Sequence, residues 1–281
     1  MVPNASQQDL VYVSNTDSEV TVYSYSQQTL VGVLTDFTQP MGECVNAAGD
    51  VFIADYAAKQ IVEYAHGAAT PLKTLDDAPD SPYACSVDPT TGNLAVANDD
   101  GASNQGNVAI FPNASGTPTR YTDSTLYNFQ ACSYDIHGNL LVSNGSAGPN
   151  PSLSLFAWLP KGGSKLVSIR IPGPQPSWQW GVDGITWDGE YFVLENYYVY
   201  RVIVTHGQAY YVGETQLDPG INSPVWIYND TKGQGTELIG GVDDDSENGV
   251  DYYPYPGGGE ATAQITHGID RAFGITISLA Q

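Results

Sequence analysis

A short pattern that recurs from one end of this chain to the other restricts its fold more than any other feature. Ala84-Cys-Ser-Val-Asp88 is followed by Gly92-Asn-Leu-Ala-Val-Ala-Asn98, and Ala131-Cys-Ser-Tyr-Asp135 by Gly138-Asn-Leu-Leu-Val-Ser-Asn144. Gly42-Glu-Cys-Val-Asn46 with Gly49-Asp-Val-Phe-Ile-Ala-Asp55 fits the same frame one position along. A fourth copy reads Gly184-Ile-Thr-Trp-Asp188, then Gly189-Glu-Tyr-Phe-Val-Leu-Glu-Asn196. A degenerate fifth reads Val225-Trp-Ile-Tyr-Asn229, then Glu237-Leu-Ile-Gly-Gly241, and Gly274-Ile-Thr-Ile-Ser278 is a sixth. After each pair of runs comes a polar loop and a third run: Val20–Tyr23, Ile61–Tyr64, Val108–Phe111, Leu153–Phe156, Tyr200–Val204 and Val250–Tyr253. A turn and a fourth run such as Leu30-Val-Gly-Val-Leu34 complete the unit. Alternation at period two with β-branched and aromatic enrichment is strand chemistry.

Six units of about 40–50 residues, each of four short antiparallel strands a, b, c and d, predict an all-β, six-bladed β-propeller. One blade cannot bury both its faces, so blades stack around an axis and close into a ring. The first run, Leu10 to Ser14, is a strand b, and the last, Phe273 to Leu279, is a strand a. The reading is therefore a single domain over residues 1–281, with 1–9 as an N-terminal extension. The C-terminal strand a is expected to join the N-terminal b, c and d.

The units resemble the NHL-type repeats of six-bladed propellers, whose form is Pro-x-Gly-x-x-Val-Asp followed by Gly-Asn-Val-x-Val-Ala-Asp. Pro40-Met-Gly-Glu-Cys-Val-Asn46 with Asp50-Val-Phe-Ile-Ala-Asp55 is the best match. The resemblance spans nearly the whole chain and implies blade geometry and an exported bacterial protein, not an activity. The Gly-His…Trp-Asp pattern of WD40 repeats is absent.

Composition narrows the function classes. Nine Lys+Arg against 31 Asp+Glu give a net charge of −22, which excludes nucleic acid and anionic membrane as partners, because phosphate binding needs clustered cations. No stretch of about 18 apolar residues is present, so no membrane span is expected. The many Ser, Thr, Asn, Gly and Tyr and few Lys favour a secreted, periplasmic or cell-surface protein, although no signal peptide is visible at Met1.

In such a ring the d–a and b–c loops share one face and the a–b and c–d turns the other, which sorts the polar residues. His137 falls in an a–b turn, His66 and His206 in c–d turns, and His267 alone in a d–a loop, so no histidine cluster converges for a triad or metal. No catalytic residues are assigned. The d–a/b–c face collects aromatic, amide and charged side chains: Trp178, Trp180, Asp183, Tyr83, Gln130, Tyr127, Tyr197 and Arg271, with Phe129 and Tyr198 nearby. Rings beside carboxylates suit a glycan, a peptide or a protein.

Gluconolactonase-like six-bladed propellers bind a divalent metal at the channel mouth, and Asp183 in Val182-Asp-Gly184 resembles their Asp-Gly ligand. Glu43 is a second candidate ligand, and Asp243, Asp245 and Glu247 in the Asp243–Asn248 loop are candidates for Ca2+. One carboxylate beside a glutamine makes no cage for a hard cation, so the default is no cofactor. Asp99 to Asn104 reads as a solvated acidic loop. Strand alternation puts Cys44 and Cys85 on facing sides of neighbouring blades, where they can bridge, leaving Cys132 as a buried thiol.

The reading that results is a non-catalytic exported binding or scaffold propeller with its ligand on the d–a/b–c face. The alternatives are a metal-dependent lactonase or lyase centred on Asp183, and a surface protein that assembles with other copies of itself.

Overall fold

In the computed structural model the described residues are 1–16, 18–99, 105–144, 156–170, 182, 184–196, 198–221, 225–229, 235–243 and 248–281, with backbone only at 196, 242 and 243. They form six four-stranded antiparallel sheets, the blades of a β-propeller. Blade 1 joins strand a from the C-terminus, Ala272–Ser278, to b Leu10–Asn15, c Val20–Ser24 and d Leu30–Leu34. Strands a to d are Pro40–Val45, Val51–Asp55, Gln60–Tyr64 and Pro71–Asp76 in blade 2, and Pro82–Val87, Leu94–Asn98, Asn107–Phe111 and Thr119–Tyr121 in blade 3. Blade 4 has Phe129–Tyr134, Leu140–Asn144, Phe156–Leu159 and Val167–Ile169. Blade 5 has Gly184–Trp187, Phe192–Asn196, Tyr198–Thr205 and Gln208–Thr215, and blade 6 has Val225–Asn229, Gly235–Asp243, Asn248–Pro254 and Ala263–Ile265.

The recurring motif encodes the a–b turn. In four blades the Asx that ends strand a folds its side chain over the turn: Asn46 Oδ1 accepts from the Ala48 and Asp50 amides, and Asp88 Oδ1 from Thr90. Asp135 Oδ1 accepts from His137 and Asn139, and Asp188 Oδ1 from Glu190 and Tyr191. The glycine that follows sits at positive φ (85° at Gly49, 73° at Gly92, 80° at Gly138, 102° at Gly189), where a side chain is strained.

A second repeated brace holds the d–a loops. The Asx at the end of strand b accepts backbone amides from the incoming loop. Asp55 takes Thr38 at 3.0 Å and Gln39 at 2.8 Å, and Asn144 takes Asn128 at 2.7 Å. Asn15 takes Asp270 at 3.3 Å. These three side chains are buried, so the loop amides also satisfy polar oxygens that are themselves shut off from water.

The core is a series of clusters between neighbouring blades. Val20, Val22, Val51 and Ile53 pack across blades 1 and 2, and Phe52, Ile61, Leu94 and Val96 across blades 2 and 3. Strands b and c are buried on both faces because each blade is sandwiched, and their burial is continuous in Val51–Asp55 and Leu94–Asn98. Cys44 and Cys85 are joined by a disulfide between blades 2 and 3, with Cα atoms 5.6 Å apart, and Cys132 is a buried free thiol. Residues 1–9 lie against blade 1: the Val2 amide donates to Val31 O, and Ala5 is buried.

In blade 4 the third strand is described at Phe156–Leu159, pairing Trp158 with Leu141; residues 153–155 of the expected run lie outside the described residues. Two expectations change. Phe129 is fully buried between blades 3 and 4, not on a loop face, because its ring faces the next blade. His66 is no plain surface turn residue: Nδ1 lies 2.7 Å from Ser278 Oγ and Nε2 3.0 Å from Gln8 O, and burial lowers its pKa. A short parallel pairing of Leu217–Asp218 with Gly259–Glu260 was also not expected from the repeat.

Candidate binding site at the channel mouth

The six strands a run side by side around the axis and line a channel. Its waist is a cavity of about 50 Å3 bordered by Gly42, Ala84, Ala131, Gly184 and Gly274. A Cβ on Gly42 would sit 2.7 Å from Tyr83 O, and one on Gly274 would collide with Met41 O. Glycine or alanine stands at this position in five of the six units, and Val225 in blade 6.

On the d–a/b–c face the same cavity is bordered by Tyr83 of blade 3, Gln130 of blade 4 and Phe273 of blade 1. Tyr83 meets Tyr56 edge to face at 6.4 Å. The Arg271 guanidinium stands 5.2 Å over the Phe273 ring, a cation–π contact on the exposed rim. Asp99 is half-buried rather than loosely solvated. It accepts from Asn128 Nδ2 at 2.7 Å and Gln130 Nε2 at 3.1 Å, fixing the amide at the mouth. Tyr127 is 44% exposed outside this ring. Asp99 directly follows strand b of blade 3, which ends at Asn98.

Glu43 is the buried acid of the channel wall. It is 5% exposed and points between blades 1 and 2, where Ser14 Oγ donates to Oε1 at 2.7 Å while Oε2 has no partner among the described residues. Burial pushes its carboxyl up to about 8, against a smaller opposing effect of the Ser14 hydrogen bond. It is therefore a neutral acid at pH 7. No three His, Cys, Asp or Glu side chains converge on one point among the described residues.

Several expected site residues, Trp178, Trp180, Asp183, Tyr197, Asp245 and Glu247, lie outside the described residues. Asp243 ends strand b of blade 6 and pairs in register with Asn248, so the acidic connection there is shorter than the six-residue loop read from sequence. The structure brings together Tyr83, Gln130 and, beside Phe273, Arg271. Glu43 borders the same cavity, with its carboxyl Oε1 taken by Ser14 Oγ.

No family model matches the chain, and no curated protein matches it by sequence. Solved structures match by fold. One described as a crystal structure of a nidogen/laminin complex superposes with a TM-score of 0.72 at 14% identity, over 97% of this chain and 99% of that one. A functionally unknown protein from Desulfotomaculum acetoxidans DSM 771 superposes with a TM-score of 0.65 at 10% identity, over 98% and 100% of the two chains. At such identities the likeness shows the fold alone. No helix among the described residues is long and apolar enough to cross a membrane.

Proposed function

We propose that this protein is a non-catalytic binding propeller that holds a protein or peptide segment at the d–a/b–c mouth of its channel. The observation that carries the reading is the convergence there of Tyr83, Gln130 and Phe273 from three blades, with Arg271 on the rim. Half-buried rings beside an amide held by Asp99 make a pocket for an apolar or aromatic anchor with a backbone hydrogen bond. A surface carrying −22 steers in partners whose docking face is basic. A structure of like fold described as a nidogen/laminin complex supports a protein partner. The NHL-type reading of the repeats, and export, belong to the same proposal and rest on the sequence pattern.

The test is selection from a displayed peptide library, followed by titration of the selected peptides. The expected result is saturable binding without turnover, enrichment of Lys or Arg flanking an aromatic residue, and an affinity that falls as salt rises. Tyr83→Ala and Gln130→Ala should each weaken it by about tenfold or more without lowering the melting temperature. Selected peptides that ignore both variants, or saturable binding confined to a glycan array, would overturn the peptide reading.

A further inference from the structure

The outer edges of the six blades are not alike. Strand d is the last strand of each sheet, so half of its backbone groups face outward and can pair with another chain unless something guards them. Blade 1 is covered: the Val2 amide donates to Val31 O, and Met1 lies against Gly32. Blade 2 carries Pro71, Lys73 and Asp76 along its edge. The d strands of blades 3, 4 and 6 have three residues each, and that of blade 3 is centred on Arg120. Cover, proline, charge and short length are the usual protections of an open edge.

Blade 5 lacks them. Its strand d, Gln208–Thr215, runs eight residues without proline or cation, and its single charge, Glu214, is next to the end. Among the described residues it pairs only with strand c. The hairpin is long because His206 and Gly207 both take positive φ, 52° and 74°, a turn that matches the twist of its strands. Val202, Val204, Ala209 and Tyr211 pack in the cluster between blades 4 and 5. Alternation turns Ile203 and Tyr210 to the other side, directly opposite each other, at 38% and 44% exposure. The bulge at Val212 presents a further apolar side chain, 43% exposed, where a guarded edge would place a charge.

Charge bears on what sits there. The chain carries −22, yet it has no Asp or Glu from Asn196 to Gly213, so two copies can meet here without setting carboxylates face to face. A strand that pairs antiparallel with its own copy about a two-fold axis offers the same residues from both sides. The two Glu214 carboxylates then fall toward opposite ends of the ribbon, on the order of 15 Å apart in a centred register, beyond the Debye length of about 8 Å.

We propose that the outer hairpin of blade 5 is a homodimer interface, in which strand d pairs antiparallel with strand d of a second copy and the exposed sides of Tyr210 and Val212 from both copies pack together. The contact lies on the rim of the ring and leaves both channel mouths open, so it does not rest on the binding reading above.

Sedimentation of the full chain from about 1 to about 200 μM, a span that brackets micromolar dissociation constants, tests the proposal. The expected result is a monomer–dimer equilibrium that tightens severalfold as salt rises, because screening removes the repulsion between two acidic chains. Peptide binding at the mouth has the opposite salt dependence. Hydrogen exchange of the Gln208–Thr215 amides should slow as concentration rises. Tyr210→Lys combined with Val212→Lys should weaken the dimer about tenfold or more and leave the melting temperature of the dilute chain unchanged. Leu72→Lys, at an exposed apolar residue on the guarded edge of blade 2, should leave the dimer as it is. A chain that stays monomeric at the top concentration overturns the proposal, even if an added extended peptide slows exchange in strand d. So does a parent dimer whose slowed amides lie outside strand d, or one of undiminished strength in the double variant.

Discussion

The seam between blades 1 and 2 and the seam between blades 2 and 3 are adjacent in the ring and held by different chemistry. The first is held by hydrogen bonds: Ser14 to Glu43, His66 to Ser278 and Gln8, the Gly67 amide to Tyr12 Oη, and Ser278 Oγ to Gly49 O. Its strand a comes from the far end of the chain. The second is covalent at the channel, through Cys44–Cys85, and ionic at the rim, where Arg120 pairs with Asp77 and Asp80. The chain runs on from blade 1 to blade 2 as it does from blade 2 to blade 3, so the seams differ in side-chain chemistry: the first depends on burial and on the protonation of neighbouring groups, and in the second a cross-link and a charge cluster add to the packing. Both mouths owe their shape to these seams staying shut.

The largest effect should come from ending the chain after Arg271. That deletes strand a of blade 1 and its pairing of Ile275 and Ile277 with Val13 and Val11. Strand b of blade 1 becomes an open edge and the ring cannot close. The expected outcome is loss of the cooperative thermal transition in circular dichroism. A truncated chain that still melts in one sharp step would show that the first seam does not need its polar latch.

Next is the covalent seam. Cys44→Ala with Cys85→Ala frees a loop of 41 residues' separation, which a chain-entropy account puts at about 4 kcal/mol of stability. Denaturant titration measures it. Under denaturing, non-reducing conditions one thiol should titrate, Cys132, and three after reduction; three without reduction would remove the contrast between the seams.

Arg120→Ala follows. Asp77 is fully buried, and its carboxyl is pushed up to about 7, by burial first and in spite of the neighbouring guanidinium. Stranding such a carboxylate costs about 3–5 kcal/mol when both partners are buried. The Arg120 side chain is 30% exposed, so screening reduces the expected loss to about 2 kcal/mol. Arg120→Lys should recover only part of it, because one ammonium cannot reproduce the fork that reaches Asp77 and Asp80.

Last is the acid in the first seam. Glu43 has a pKa of about 8 in the fold against 4.5 when free, so the folded state holds the extra proton between those values. Stability from this group is complete below pH 4.5 and is lost as pH rises toward 8, with a slope approaching about 1.4 kcal/mol per pH unit. Glu43→Gln should flatten that part of the pH–stability curve and leave the protein more stable than the parent above pH 8. Parallel curves for parent and variant would mean that the carboxyl is not buried as charged-state chemistry requires.

The fold was largely legible because its determinants are local. The Asx and glycine of the a–b turns in blades 2 to 5, the two-residue alternation of the strands and the small residue at the waist each fix geometry within a few positions, so the repeats show in the sequence. The site was less legible. Tyr83, Gln130 and Arg271 could be assigned to a loop face from topology, but Asp99 reads as one more acidic loop residue until the fold sets it against Asn128 and Gln130. Phe129, one residue from Gln130, goes to the core instead.

The sequence by itself determined the repeat, the strand order, the closure and which face each loop occupies, because turns and alternation are short-range. Only the tertiary structure decided how each group is used. His66 became a latch, Glu43 a neutral acid, and Asp99 the brace of the Gln130 amide. Those outcomes depend on desolvation and on contacts between blades 29 or more residues apart, which no local pattern records.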